Sequence, residues 1–115
     1  MNLALLKKYK IVFECTDEFG PQAHGSAVAD FLDDVNSSRQ AKGYLSKTAL
    51  YLKGGIVEDG DNSLLPNAYG ARIFEGKVSI FYNHPRYSDD FAELPLKDFY
   101  EILEMWRDFL IQNGR

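Results

Sequence analysis

The stretch Leu96-Lys97-Asp98-Phe99-Tyr100-Glu101-Ile102-Leu103-Glu104-Met105-Trp106-Arg107-Asp108-Phe109-Leu110 decides how the rest of the chain is read. Phe99, Ile102, Leu103, Trp106, Phe109 and Leu110 recur at helical spacing and make one wide apolar stripe. Asp98, Glu101, Glu104 and Asp108 fall on the remaining surface, which predicts an amphipathic C-terminal helix with an acidic outward face. A helix of this kind docks to close a core and carries no chemistry of its own. Asn113-Gly114 is its expected end, because Gly takes the left-handed conformation that stops helices.

Immediately upstream, Tyr69 to Asn83 reads as a β-hairpin. Glu75-Gly76 is a two-residue turn, and pairing Phe74 with Lys77 places Tyr69, Ala71, Ile73, Val78, Ile80 and Tyr82 on one face. Gly70, Arg72, Lys77 and Ser79, with Phe74 and Phe81 among them, occupy the other, so one face meets the core and the other is half wet. Leu94-Pro95-Leu96 leads into the final helix. Toward the N-terminus, Tyr9 to Cys15 is β-branched and aromatic enough for a strand with Ile11, Phe13 and Cys15 on one face, and Asp17-Glu18-Phe19-Gly20-Pro21 breaks it. Ser26 caps an expected helix that buries Ala27, Val28, Phe31, Leu32 and Val35 and turns Asp30, Asp33 and Asp34 outward. Asn36-Ser37-Ser38 ends that helix or begins a loop. Tyr44 to Lys53 fits a helix slightly better than a strand, and Gly54-Gly55 terminates either. Strands without a βαβ rhythm, followed by a helix, predict an α+β fold: one domain over residues 1–115, an antiparallel sheet with helices packed on one face, and the C-terminal amphipathic helix.

A chain of 115 residues is long enough to bury a core without staples. Its formal net charge of -4 argues against nonspecific nucleic-acid binding, which needs clustered Lys and Arg. Residues 1–57 carry seven basic and six acidic side chains, whereas residues 58–115 carry six and eleven, so the acidity belongs to the second half. Such asymmetry suits the steering of a basic partner. Cys15 is the only cysteine, which excludes an internal disulfide, and its strand position predicts a small buried hydrophobe. The apolar run Met1 to Leu6 precedes its lysines, the reverse of a secretory signal, and no segment approaches a membrane span; the expectation is a cytoplasmic protein.

Most routes to catalysis fail at the sequence. Asp59-Gly60-Asp61-Asn62-Ser63 opens like a calcium loop, but Leu64 stands where the sharp turn needs Gly and Gly70 where a bidentate Glu is required. His24 and His84 have no metal-ligand spacing around them, and no cofactor motif or phosphate loop is present. Ser26 and Ser88 lie in no nucleophile context. The segment Tyr82 to Glu93 is the better candidate: Tyr87 and Phe91 are aromatic anchors beside Asp89, Asp90 and Glu93, a mixture that protein interfaces favour. Glu58, Asp59 and Asp61 form a second acidic loop that extends the same surface if the fold brings the two together.

The run Leu94-Pro95-Leu96, Phe99-Tyr100, Ile102-Leu103, Trp106 and Phe109-Leu110, following a late hairpin in a small acidic domain, resembles immunity proteins of bacterial contact-dependent growth inhibition and related polymorphic toxin systems. The resemblance covers about the last third of the chain. It implies a non-enzymatic inhibitor without a cofactor, which binds a cognate toxin domain, often a basic nuclease, and covers its active site or substrate-binding surface. These families share no fixed functional motif, so no residue role is carried over. Beside this stand two other expectations: an adaptor or subunit that binds another cytoplasmic protein, and a small enzyme that sets His84 or His24 beside a carboxylate in a concave pocket.

Overall fold

The computed structural model describes residues 1–54, 62–83 and 90–115, with the backbone alone at Asp90 and Phe91. The elements run α1 (Leu3–Lys8), β1 (Val12–Thr16), β2 (Gly20–His24), α2 (Ala27–Asp34), α3 (Ser38–Leu52), β3 (Ser63–Leu64), β4 (Tyr69–Phe74), β5 (Lys77–Tyr82), β6 (Asp90–Pro95) and α4 (Leu96–Gln112). The architecture is α+β. One antiparallel sheet has the order β3-β4-β5-β6, and β1 and β2 form a separate antiparallel pair.

The predicted hairpin forms in the predicted register. Phe74 pairs with Lys77, Ile73 with Val78 and Ala71 with Ile80. Glu75 and Gly76 both take positive φ, 48° and 77°, the conformation whose twist matches a two-residue hairpin turn. Ala71, Ile73, Val78 and Ile80 on the inner face are buried, and Leu94 of β6 joins them opposite Val78.

The α4 stripe lies against this core. Phe99, Ile102, Leu103, Trp106 and Leu110 are fully buried, and Phe109 is partly so. Each such side chain taken out of water contributes about 1.5 to 3 kcal/mol, far more than helix propensity does. α2 adds Val28, Phe31 and Leu32, and α3 packs along α4 with Ala41, Leu45 and Thr48. Ser26 accepts from the Ala29 N–H, as expected of the α2 cap, and Ser37 does the same for α3 by accepting from the Gln40 N–H. The run Asn36-Ser37-Ser38 is therefore a helix start, and the slight preference for helix at Tyr44 to Lys53 agrees with α3. The Trp106 indole N–H donates to the Val35 carbonyl at 2.7 Å, tying α4 to the end of α2.

The N-terminal region departs from the expectation. Residues 3–8 form a helix, Lys10 turns the chain with φ 55°, and the strand begins only at Val12. Asp17-Glu18-Phe19 is the turn of a second hairpin rather than the end of a lone strand, and Pro21 lies inside β2. Proline is tolerated there because the Cys15–Pro21 pair is a non-hydrogen-bonded one. The neighbouring pair of the same kind is Phe13–Ala23, and there the Ala23 N–H points away from β1 and donates to Asp33 at 3.0 Å. Cys15, expected to be buried, is exposed, since this small sheet is covered on one face only near Phe13 and Ala23.

Candidate protein-binding surface

The segment chosen from the sequence is anchored where β5 ends. The Asn83 N–H donates to the Ala68 carbonyl at 2.6 Å, so the chain leaves the sheet beside the start of β4. It returns at Asp90, whose backbone pairs with Phe81, and a register shift between Ile80 and Phe81 leaves Phe91 unopposed. β6 is one of the two edge strands of the four-stranded sheet, β3 being the other. Glu93 stands opposite Ser79 and is exposed, with its carboxylate 3.2 Å from Lys77 Nζ. An ion pair this open is worth little and exchanges readily for another partner. Tyr87 and Asp89 lie outside the described residues, as do Glu58, Asp59 and Asp61 of the second loop and His84.

The described ends of the two acidic segments attach far apart along the sheet. The Asn62 carbonyl accepts from the Ile73 N–H at 2.8 Å, and its side chain donates to the Ile73 carbonyl, which puts this end beside the Glu75-Gly76 turn. Asn83 sits at the opposite end of β4. About five strand residues separate Ala68 from Ile73, on the order of 17 Å at ~3.3 Å per residue.

The outer face of the sheet has its own chemistry. The Arg72 guanidinium lies over the Phe81 ring, 4.8 Å from its centroid. Gly70 makes room beneath: a Cβ there would lie 2.5 Å from Phe81 Cζ and 2.8 Å from a Leu65 methyl carbon. Phe74, at 62% exposure, and Leu65 extend the apolar area toward solvent. This face therefore mixes aromatic rings with both signs of charge, Arg72 and Lys77 against Glu93.

The carboxylates expected to point outward from α2 are turned to structural work instead. Asp33 accepts from Ala23, and Asp34 accepts from the Tyr69 N–H at 2.8 Å. The Tyr69 hydroxyl donates to Asp30. Burial raises the Asp30 carboxyl above its ordinary value, and the Asp33 and Asp34 charges add to the rise while the tyrosine bond opposes it. Burial also raises Tyr69, helped by the nearby Asp30 charge. The cause is topological, since the β2 edge and the start of β4 both present N–H groups to α2. The acidic face expected on α4 is likewise partly covered. The Tyr9 hydroxyl donates to Asp98 at 2.6 Å and the Asn2 amide to Glu101 at 3.0 Å, both from the α1 end of the chain.

His24 lies on the exposed face of the β1–β2 hairpin, its Nε2 3.0 Å from Glu14 Oε2. Among the described residues lie two grooves that no motif in the sequence marks. One, of about 750 Å³, runs between α1 and β1 and is lined by Leu3, Leu6, Ile11, Val12 and Phe13 with Lys7 and Lys10. The other, of about 270 Å³, lies between α3 and α4 among Lys42, Ser46, Tyr100 and Arg107. His24 lines neither. The apolar run before Lys7 was the available signal for the first groove. Among the described residues no helix is long and apolar enough to cross a membrane, and no cluster of His, Cys, Asp or Glu is arranged to hold a metal. No protein-family model, curated protein or solved structure matches the chain.

Proposed function

We propose that this chain is an immunity protein that binds a cognate bacterial toxin domain, most plainly a basic nuclease, and neutralises it by covering its active site or substrate-binding surface. The observation that carries the reading is the edge strand β6. It carries exposed Glu93 and the backbone of Asp90 along an edge of the sheet whose outer face holds exposed Phe74 and the Arg72–Phe81 stack. Carboxylates at such a rim speed the approach of a Lys- and Arg-rich partner, and the aromatic side chains supply area that is desolvated on contact. The net charge of -4 is modest, so shape contributes much of the selectivity.

The test is co-expression with the product of the gene immediately upstream of its own, one protein tagged, followed by size exclusion. The expected result is a stable one-to-one complex with a basic protein that is toxic when expressed alone. Asp89→Lys with Asp90→Lys is expected to weaken that complex at least about tenfold, chiefly at low salt. A neighbour that is harmless alone and does not co-elute removes the inhibitor reading. A complex indifferent to the double reversal removes this choice of surface.

A further inference from the structure

The β1–β2 hairpin has one closed edge and one open edge. The Ala23 N–H, pointing away from β1, is taken by Asp33 of α2, so α2 closes the β2 side. In the Phe13–Ala23 and Cys15–Pro21 pairs the backbone groups do not face each other, so the N–H and C=O of Phe13 and Cys15 point away from β2. Among the described residues no hydrogen bond reaches them, and Cys15 is exposed. An open strand edge of this kind is a template for another extended chain.

Next to that edge lies the apolar groove of about 750 Å³ between α1 and β1. Leu3, at 69% exposure, and Val12, at 51%, leave much of its lining in contact with water. The charge around it is positive. Lys7 and Lys10 line it, α1 has no acidic residue in its first turn, and among the described residues no carboxylate pairs with either lysine. Lys8 lies 3.7 Å from Asp98, and Glu14, an exposed acid on the Val12 face, lies 3.0 Å from His24.

We infer that the β1 edge and the α1–β1 groove together bind an extended segment of a partner protein that alternates apolar and acidic side chains. The segment adds as a strand beside β1. Every second side chain then falls on the face of Val12 and enters the groove, and the long, exposed Lys7 and Lys10 side chains at its rim reach round to the carboxylates on the segment's other face. The lysines also decide against a second copy of this chain as the occupant, because symmetric pairing through β1 would bring like charges together. This inference does not rest on the toxin-inhibitor reading, whose acidic surface lies on the other sheet.

The test is fluorescence anisotropy on the full chain with three labelled short peptides: alternating Val and Glu, alternating Val and Lys, and alternating Ser and Glu. The Val/Glu peptide is expected to bind at least about tenfold more tightly than the other two. Lys7→Glu, an exposed change, is expected to weaken it about tenfold. Cys15→Pro removes an outward N–H without touching the β1–β2 ladder and is expected to weaken it similarly, with the melting temperature reporting that the fold persists. Equal binding of the three peptides, or Val/Glu binding unaffected by Lys7→Glu, overturns the inference. So does a concentration-dependent dimer, seen by sedimentation, that Val12→Lys abolishes.

Discussion

The two hairpins of this chain are built on the same plan and differ in what lies beneath them. β4–β5 has six-residue strands, and its inner face rests on α2 and α4 with Ala71, Val78 and Ile80 fully enclosed. β1–β2 has five-residue strands, and only Ala23 is buried in it. Phe13 connects it to α4, with its ring 5.1 Å from that of Trp106 and 5.4 Å from that of Phe109. A buried face fixes register and forces alternation into the sequence; a hairpin held only by the Phe13 ring, buried Ala23 and the Asp33 bond to α2 is free to carry Pro, charge and an exposed Cys. The second hairpin is thus permitted to keep an unpaired edge, which a core hairpin is not.

The sharpest way to break the comparison is to shorten a side chain in each. Ile80→Ala leaves a cavity between the sheet and its helices and is expected to cost roughly 2 to 5 kcal/mol, lowering the denaturant midpoint of the whole protein. Phe13→Ala gives up two ring contacts worth about 0.5 to 1.5 kcal/mol each on top of the ring's partial burial, with the loss centred on β1 and β2. Native-state amide exchange separates the cases: Ile80→Ala accelerates exchange everywhere, Phe13→Ala in residues 12–24 alone. Equal losses across the molecule in both variants would show the hairpins to be one cooperative unit.

Gly25 tests the same division through the backbone. It closes β2 with φ 120°, and a Cβ there would collide with the Lys10 carbonyl oxygen. Gly25→Ala therefore carries both backbone strain and a clash with a rigid atom, about 1 to 3 kcal/mol from strain alone. The penalty can be escaped by letting the N-terminal hairpin detach. The expected outcome is fast exchange at Val12 to His24 with protection of β4–β5 retained, and a loss of peptide binding at the α1–β1 groove if the edge-strand inference holds.

The same contrast explains what the sequence made legible. The pairing of Phe74 with Lys77 was readable because Glu75-Gly76 marks the turn and the alternation around it answers to a buried face. α4 was readable because Phe99 to Leu110 repeats over several turns against one core. β2 was not, since Pro21 reads as a breaker, and only the ladder geometry shows that no N–H is missed there. The roles of Asp30, Asp33 and Asp34 were hidden for a related reason. Helical spacing says that they share a surface, but not that N–H groups of Ala23 and Tyr69, distant in sequence, come to meet it. Of the candidate interface, Glu93 and the backbone of Asp90 and Phe91 lie on β6, a strand where the sequence reads only as the connection between the hairpin and α4.

The smallest expected effect lies where the chain enters the N-terminal hairpin. Tyr9 closes α1 and donates its hydroxyl to Asp98, which couples a six-residue helix, too short to persist alone, to the first turn of α4. Burial and the acceptance of its proton by Asp98 push the phenol up to about 12. The sign follows directly. The neutral form is favoured by folding, so the stabilisation is fully present below the unfolded value of 10.0 and is lost as pH rises through about 12. Tyr9→Phe removes the hydrogen bond and the titration together. It is expected to lower the melting temperature slightly at neutral pH and to flatten the alkaline limb of stability between these two values, with amide exchange at Leu5 and Leu6 rising first. An unchanged alkaline limb would place the loss of stability at high pH in Tyr69 and its Asp30 contact instead. The N-terminal hairpin would then be held to the core by Phe13 and by the Asp33–Ala23 bond to α2 rather than through α1.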